Sequence, residues 1–277
     1  MREYKDDTSL LSFLYQTTMG RVLLKGLTAP WISKMAGWYL NTGLSKCHIA
    51  GFVKKNSVDM SQCQKQKFDS FNDFFVRKLT EDARPVDPNP QSLIAPCDGL
   101  LSAYPITPDA KFAIKGRTYC VEELLGGDPQ SERYRDGVCL VFRLCVNDYH
   151  RYHYIDSGRK TENRFLPGKL HTVRPIAMST VPVFHENSRE YTFLHTDHFG
   201  VVAQVEVGAL LVGKIQNHHG VSTFSRGEEK GTFLFGGSTV VLLLEADRAA
   251  LLPQFTMDGQ ERKVCFGQSI GSATGKN

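Results

Sequence analysis

Residues Phe233–Ala246 read FLFGGSTVVLLLEA, with two glycines set directly before a serine and a threonine. The apolar run that follows is short and continuous, which is the pattern of a buried strand. Gly236 and Gly237 are free to adopt backbone conformations closed to other residues, and they leave the Gly237 carbonyl sterically open. The Ser238 hydroxyl follows immediately. With a base to take its proton and a donor to stabilise an oxyanion, that hydroxyl can attack the Gly237 carbonyl in an N→O acyl shift. Thr239 is placed to help through its hydroxyl or its amide. The same tripeptide also makes an ordinary turn, so the chemistry must be sought elsewhere in the chain.

Working outward, the chain has 277 residues, 41% hydrophobic and 22% charged, which suits a folded protein with a real core. Residues 9–80 read as mainly helical. The Pro-rich connector RPVDPNPQ at 84–91 ends that texture. Beyond it, short β-prone runs recur between Gly, Pro, Asn and Asp: SLIAP, LLSAYPI, KFAIKG, GVCLVFRL, YHRYHYI, REYTFLHT and FGVVAQVEVGALLVGKI. A short helix is expected at 121–126. The expected fold class is α+β: a helical N-terminal portion, residues 1–80, packed on a β-rich sandwich or barrel-like catalytic domain, residues 81–277.

The seven cysteines are irregularly spaced, and none forms C-x-x-C, which speaks against a zinc knuckle. They read as free thiols of a reduced compartment. The N-terminus does not read as a secretory signal, and no run of about 18 apolar residues predicts a membrane span. Charge is uneven. Between Thr8 and Val58 there is no Asp or Glu, while Arg21, Lys25, Lys34, Lys46, Lys54 and Lys55 all fall there. Pro30 suits a helix first turn with Thr28 near the cap, and Trp31, Met35, Trp38 and Tyr39 then share one face. Such a helix either lies on an anionic membrane or packs on its own domain. No nucleic-acid motif accompanies the positive charge.

Two further places carry reactive groups. In APCDGLLS (95–102), Asp98 precedes Gly99, a pair that commonly makes a hairpin turn. In NDYHRYHYIDSG (147–158), Asp148, His150 and His153 lie within six residues. They could ligate a metal, move protons, or merely end a strand. On a regular strand His150 and His153 face opposite sides, so a shared site requires the chain to bend.

Taken together, these blocks resemble the phosphatidylserine decarboxylase family. FGGSTVVLL is similar to its Gly-Ser-Thr processing site, PCDG to its S-P-x-D-G block and DYHRYH to its D-Y-H-R-x-H block. FNDFFVRKLTEDARPV, FHENSREYT, VEVGALLVGKI and RGEEKGTFLFGGST follow the family's remaining blocks in order, over roughly residues 68–245. The resemblance implies a proenzyme that cuts itself between Gly237 and Ser238 into a β subunit, residues 1–237, and an α subunit, residues 238–277. Ser238 then becomes a pyruvoyl group, a covalent cofactor that needs no external cofactor or metal and decarboxylates phosphatidylserine to phosphatidylethanolamine through a Schiff base. Asp98, His153 and Ser238 are implied as the self-cleavage triad, with Asp98 orienting His153. His150 is implied beside the reacting centre, with Asp148 as partner to a histidine and Gly236 and Thr239 in support. The resemblance also strengthens the membrane alternative for Trp31 and Trp38, giving a peripheral protein on the cytoplasmic side of the cell membrane. Homo-oligomerisation is left open. The competing readings are a metal-dependent hydrolase using Asp148, His150 and His153, a non-catalytic lipid-binding module, and a decarboxylase for a soluble amino acid.

Overall fold

A strand that is apolar on both sides must be covered on both sides, and Ser238–Leu244 is. The computed structural model describes residues 9–209, 214–234 and 238–275. Within it, Ser238–Leu244 lies inside an antiparallel sheet of nine strands. Its neighbours are Val201–Val207 on one side and Val138–Leu144 on the other. The sheet continues through Arg189–Thr196 and Gly158–Lys160 to Ser222–Phe224 in one direction. In the other it continues through Gly99–Pro105 to Arg262–Val264. Arg164–Leu166 pairs with Arg189–Thr196 as well. The two end strands do not pair with each other, so among the described residues the sheet is open, the sandwich alternative rather than a closed barrel.

Alternate residues feed two cores. Val241, Leu243, Val141 and Val205 point to one, where helices Pro175–Thr180 and Val183–Glu186 and the hairpin of Lys111–Ile114 with Arg117–Cys120 supply Met178, Phe184, Phe112 and Tyr119. Val240, Leu242, Leu140 and Phe142 point to the other. There the cover is two three-stranded sheets. One joins Ser92–Ile94, Ser269–Ala273 and Ala249–Leu251; the other joins Ile215–Asn217, Glu229–Phe233 and Arg151–His153.

The N-terminal helices Ser9–Gln16, Thr18–Leu27, Pro30–Leu40 and Ile49–Asn56 form the α part. Gly20 permits the first two to touch, because a Cβ there would collide with the Phe13 carbonyl and the Leu14 backbone. Tyr15 and Leu24 enter the first core, and the Tyr15 hydroxyl accepts the Thr172 amide at 3.1 Å. One cap differs from expectation. Ala29, not Thr28, precedes the helix that opens at Pro30, and it makes no side-chain cap. Thr28 closes the preceding helix instead, its hydroxyl donating to the Leu24 carbonyl at 2.9 Å. A separate aromatic cluster, Phe68, Phe71, Phe74 and Phe75, surrounds the short helix Phe71–Phe75.

The outward faces of these helices are apolar. Trp31 is 59%, Met35 62% and Trp38 74% exposed. Every exposed large hydrophobic residue described, apart from Phe165, Val221 and Met257, lies between Leu10 and Leu44. Arg21, Lys25, Lys34, Lys46, Lys54 and Lys55 are exposed among them. The outer face of Pro30–Leu40 is therefore not packed on the protein itself. No described helix is long and apolar enough to cross a membrane.

Candidate active site

Ser238 is the first residue of its strand and is fully buried. It stands opposite Leu144, while Thr239 stands opposite Arg143 and Val207. Strand alternation turns Ser238 to the face of Val240 and Leu242, the face of the core that also holds Tyr152 and Phe233. Among the described residues, neither Ser238 Oγ nor Thr239 Oγ1 has a hydrogen-bond partner. Buried hydroxyls are normally bonded, so two adjacent orphans demand a chemical reason. Gly236 and Gly237 lie outside the described residues. The approach to them is fixed: the Phe233 amide and the Thr232 hydroxyl both donate to the His150 carbonyl, at 3.0 and 2.9 Å.

The histidine segment follows directly from Leu144. A turn at Cys145–Asp148 is closed by the Asp148 amide on the Cys145 carbonyl at 2.9 Å, and by the Cys145 amide on Asp148 Oδ2 at 2.7 Å. That turn and the late start of the strand Arg151–His153 supply the bend that the spacing required. Buried His150 points its Nδ1 at the Asp148 carbonyl at 2.9 Å, and its ring lies 4.0 Å from that of Phe75. His153 is buried against Phe266, ring centroids 3.5 Å apart and nearly parallel. Its Nδ1 lies 3.2 Å from the Pro96 carbonyl, which also accepts the His153 amide at 2.8 Å. A carbonyl only accepts, so Nδ1 carries the proton and Nε2 is left as the basic nitrogen. Burial pushes the His153 pKa down to about 4, against the opposing pull of the Pro96 hydrogen bond. Near neutral pH His153 is an uncharged base.

Asp98 is buried, but its carboxylate does not bond to His153. Arg84 grips it with Nε at 2.8 and 3.0 Å and Nη2 at 2.6 Å, and the Phe266 amide donates to Oδ1 at 2.9 Å. Phe266 thus touches both groups, its amide on Asp98 and its ring on His153. Nor is Asp98–Gly99 a hairpin turn. It joins the strand Ser92–Ile94 of one sheet to Gly99–Pro105 of another. Gly99 is needed because a Cβ there would meet the Arg143 carbonyl at 2.7 Å.

Asp148 pairs with Lys263, which comes from the C-terminal part of the chain. Arg77 ties the aromatic helix to the same turn through the Asn147 and Asp148 carbonyls at 3.0 and 3.3 Å. Arg77, Arg84, Lys263 and Phe266 were not singled out by sequence reasoning. The two arginines sit in the FFVRKLTEDARPV block, where Arg77 was signalled as a cation directly after an aromatic stretch and Arg84 by nothing but the proline that follows it. Lys263 and Phe266 had no local signal at all. Among the described residues, no group of three or more His, Cys, Asp or Glu side chains is arranged to hold a metal ion.

Comparison with known proteins agrees with this architecture. A family model described as phosphatidylserine decarboxylase matches residues 71–272. The chain is 42% identical to phosphatidylserine decarboxylase proenzyme 2 of Clostridium acetobutylicum, over 98% of this chain and 93% of that protein. It is 38% identical to the phosphatidylserine decarboxylase proenzyme of Clostridium botulinum, over 98% of this chain and 96% of the relative. The proenzyme of Desulfitobacterium hafniense is 40% identical over 95% of this chain and 91% of its own length.

Proposed function

The chain belongs to the phosphatidylserine decarboxylase family and is a carboxy-lyase, and from that premise we propose that it decarboxylates phosphatidylserine with a pyruvoyl group made from its own Ser238. The observation that carries this reading is the buried Ser238 hydroxyl, without a partner among the described residues, at the mouth of a doubly paired strand.

In self-cleavage, Ser238 Oγ attacks the Gly237 carbonyl while neutral His153 accepts the hydroxyl proton at Nε2. The peptide C–N bond breaks and an ester links the two residues. Loss of the Ser238 α-proton then expels Gly237 as a carboxylate, leaving dehydroalanine at 238. Water converts that residue to the keto acyl group and releases ammonia. Asp98 acts on His153 through the Pro96–Asp98 loop and Phe266 rather than by a direct hydrogen bond. The triad is therefore a chain of contacts.

Residue 238 is suited to hold the group it makes. Its strand keeps ladder partners on both sides after the cut. The segment 238–277 is further held by Lys263 on Asp148, the Phe266 amide on Asp98, and the strand Ser269–Ala273 on Ser92–Ile94. The pyruvoyl group supplies an electron sink for the pair left behind as carbon dioxide departs. To His150 we assign the proton at the reacting carbon; its ring is held by Phe75 and the Asp148 carbonyl, which supports a fixed orientation.

The hydrolase alternative needs Asp148, His150 and His153 on one ion. Asp148 is instead occupied by Lys263 and the Cys145 amide, and the two rings lie on different aromatic partners. The apolar face of Trp31, Met35 and Trp38, rimmed by exposed cations, supports peripheral binding to an anionic membrane, at the cytoplasmic face of the cell membrane. The test is carbon dioxide release from phosphatidylserine vesicles and from free serine. Release from the lipid alone is expected; equal release from free serine would overturn the lipid assignment.

A further inference from the structure

A second polar site lies away from Ser238, between the N-terminal helices and the sheet. It is a cavity of about 240 Å³ lined by Arg21, Leu24, Lys25, Lys169, His171 and Glu186, among others. Leu24 is buried and forms part of its floor. On the helix Thr18–Leu27, Arg21 and Lys25 are one turn apart and share an edge. Both are exposed, and neither has an ion-pair partner among the described residues. The one carboxylate present, Glu186, is paired with Lys169 at 2.9 Å.

His171 adds a donor. It is 5% exposed and borders the same cavity. The Tyr15 hydroxyl accepts the Thr172 amide, so its own proton is directed to His171 Nδ1 at 3.3 Å. Nε2 then carries the ring proton. That N–H faces Glu186 Oε2 at 3.5 Å, so Glu186 is shared between His171 and Lys169. The single carboxylate of the lining is thus taken up by Lys169 and His171, which leaves Arg21 and Lys25 at the mouth as cations without an anionic partner among the described residues.

We propose that this cavity binds a phosphoryl oxyanion, presented by the headgroup of an anionic glycerophospholipid, at a site distinct from the decarboxylation centre. The surroundings favour a lipid over a free anion. Met19, Val22 and Leu23 project outward from the same helix and are exposed, so the basic edge lies between the buried face and an apolar outer face. A phosphodiester entering beside Arg21 and Lys25 would leave its acyl chains along those residues. The far side of the cavity leads toward the catalytic sheet: Asn187 bonds the His171 amide and carbonyl and the Gly208 carbonyl. Gly208 directly follows Val207, the ladder partner of Thr239. The site rests on the membrane reading only for its occupant; its anion chemistry is testable without a membrane and without turnover.

The experiment compares full-length wild type, Arg21→Gln/Lys25→Gln, and Lys54→Gln/Lys55→Gln, which removes equal charge from another helix. Binding is measured to glycerol phosphate in solution, to pure phosphatidylcholine vesicles and to mixed phosphatidylcholine–phosphatidylglycerol vesicles; thermal unfolding checks that each variant is folded. The expected result is that Arg21→Gln/Lys25→Gln loses glycerol phosphate binding and loses about thirtyfold in affinity for the mixed vesicles. It should keep its binding to pure phosphatidylcholine, while the Lys54/Lys55 variant keeps glycerol phosphate binding. If glycerol phosphate binding is lost but preference for the mixed vesicles is not, the anion site stands and its lipid occupant is overturned. Glycerol phosphate binding that is unchanged in Arg21→Gln/Lys25→Gln, or equally weakened in both variants, overturns the site.

Discussion

The strand Ser238–Leu244 and the helix Pro30–Leu40 are both rich in large apolar side chains, yet the molecule treats them oppositely. Every residue of the strand is buried, with cores on both faces and ladder partners on both edges. The helix leaves Trp31, Met35 and Trp38 facing outward. Burial and pairing of the strand on both edges hold residue 238 in place, as the proposed cut ahead of it requires. Exposure of the helix costs hydrophobic free energy that only an external partner can recover. The same amino-acid types thus build an interior in one region and a surface in the other.

The sharpest way to break the buried side is at its base. His153→Gln removes the uncharged Nε2 acceptor and should slow self-cleavage by about 10²–10⁴-fold, followed as loss of the smaller fragment on a denaturing gel. Next is Leu242→Ala, which opens a cavity between well-packed strands and should cost about 3 to 4 kcal/mol in denaturant unfolding.

Acid provides a comparable perturbation of about 3 kcal/mol. Above pH 6.5 His153 is neutral in both folded and unfolded chains, so its burial is harmless. Between pH 6.5 and about 4 the unfolded chain takes up a proton that the folded chain refuses, so stability falls as pH falls; below about 4 the loss stops. Unfolding measured across that window should lose its His153 component in His153→Gln. The smallest effect belongs to the other region. Replacing Trp31 and Trp38 with Ala should change stability by no more than about 0.5 kcal/mol, while weakening sedimentation with phosphatidylserine vesicles. A stability loss as large as that of Leu242→Ala would erase the contrast between the regions.

The sheet was legible where the chain repeats β-branched and aliphatic residues. REYTFLHT, GVCLVFRL and STVVLLL each became a strand of the large sheet. Glu229–Phe233 was hidden because Glu, Lys and Gly are poor strand formers. Lys230 is fully buried there only because Glu206 meets it at 2.8 Å from another strand, a pairing that no local pattern discloses. The candidate site divides the same way. Ser238, Asp98 and the histidines were candidates by residue type and spacing, and only the family resemblance joined them into one site. Their mutual geometry was not legible, because it depends on partners far away in sequence: Arg84 on Asp98, Phe266 on His153 and Lys263 on Asp148. An aspartate that resembles a histidine's orienting partner proves to be held by an arginine, while a backbone carbonyl orients the ring. Trp31 and Trp38 could be assigned to one helix face from spacing alone. Whether that face met protein or solvent was a tertiary fact.

The central claim is that Ser238 breaks the bond ahead of it and becomes the electron sink. Intact mass spectrometry of purified wild type and Ser238→Ala tests this most directly. The account predicts two wild-type fragments, the smaller spanning residues 238–277 with a pyruvoyl group at its start, and a single 31.0 kDa chain for the variant. A catalytically active wild-type chain that is unbroken, with an ordinary serine at 238, would contradict it.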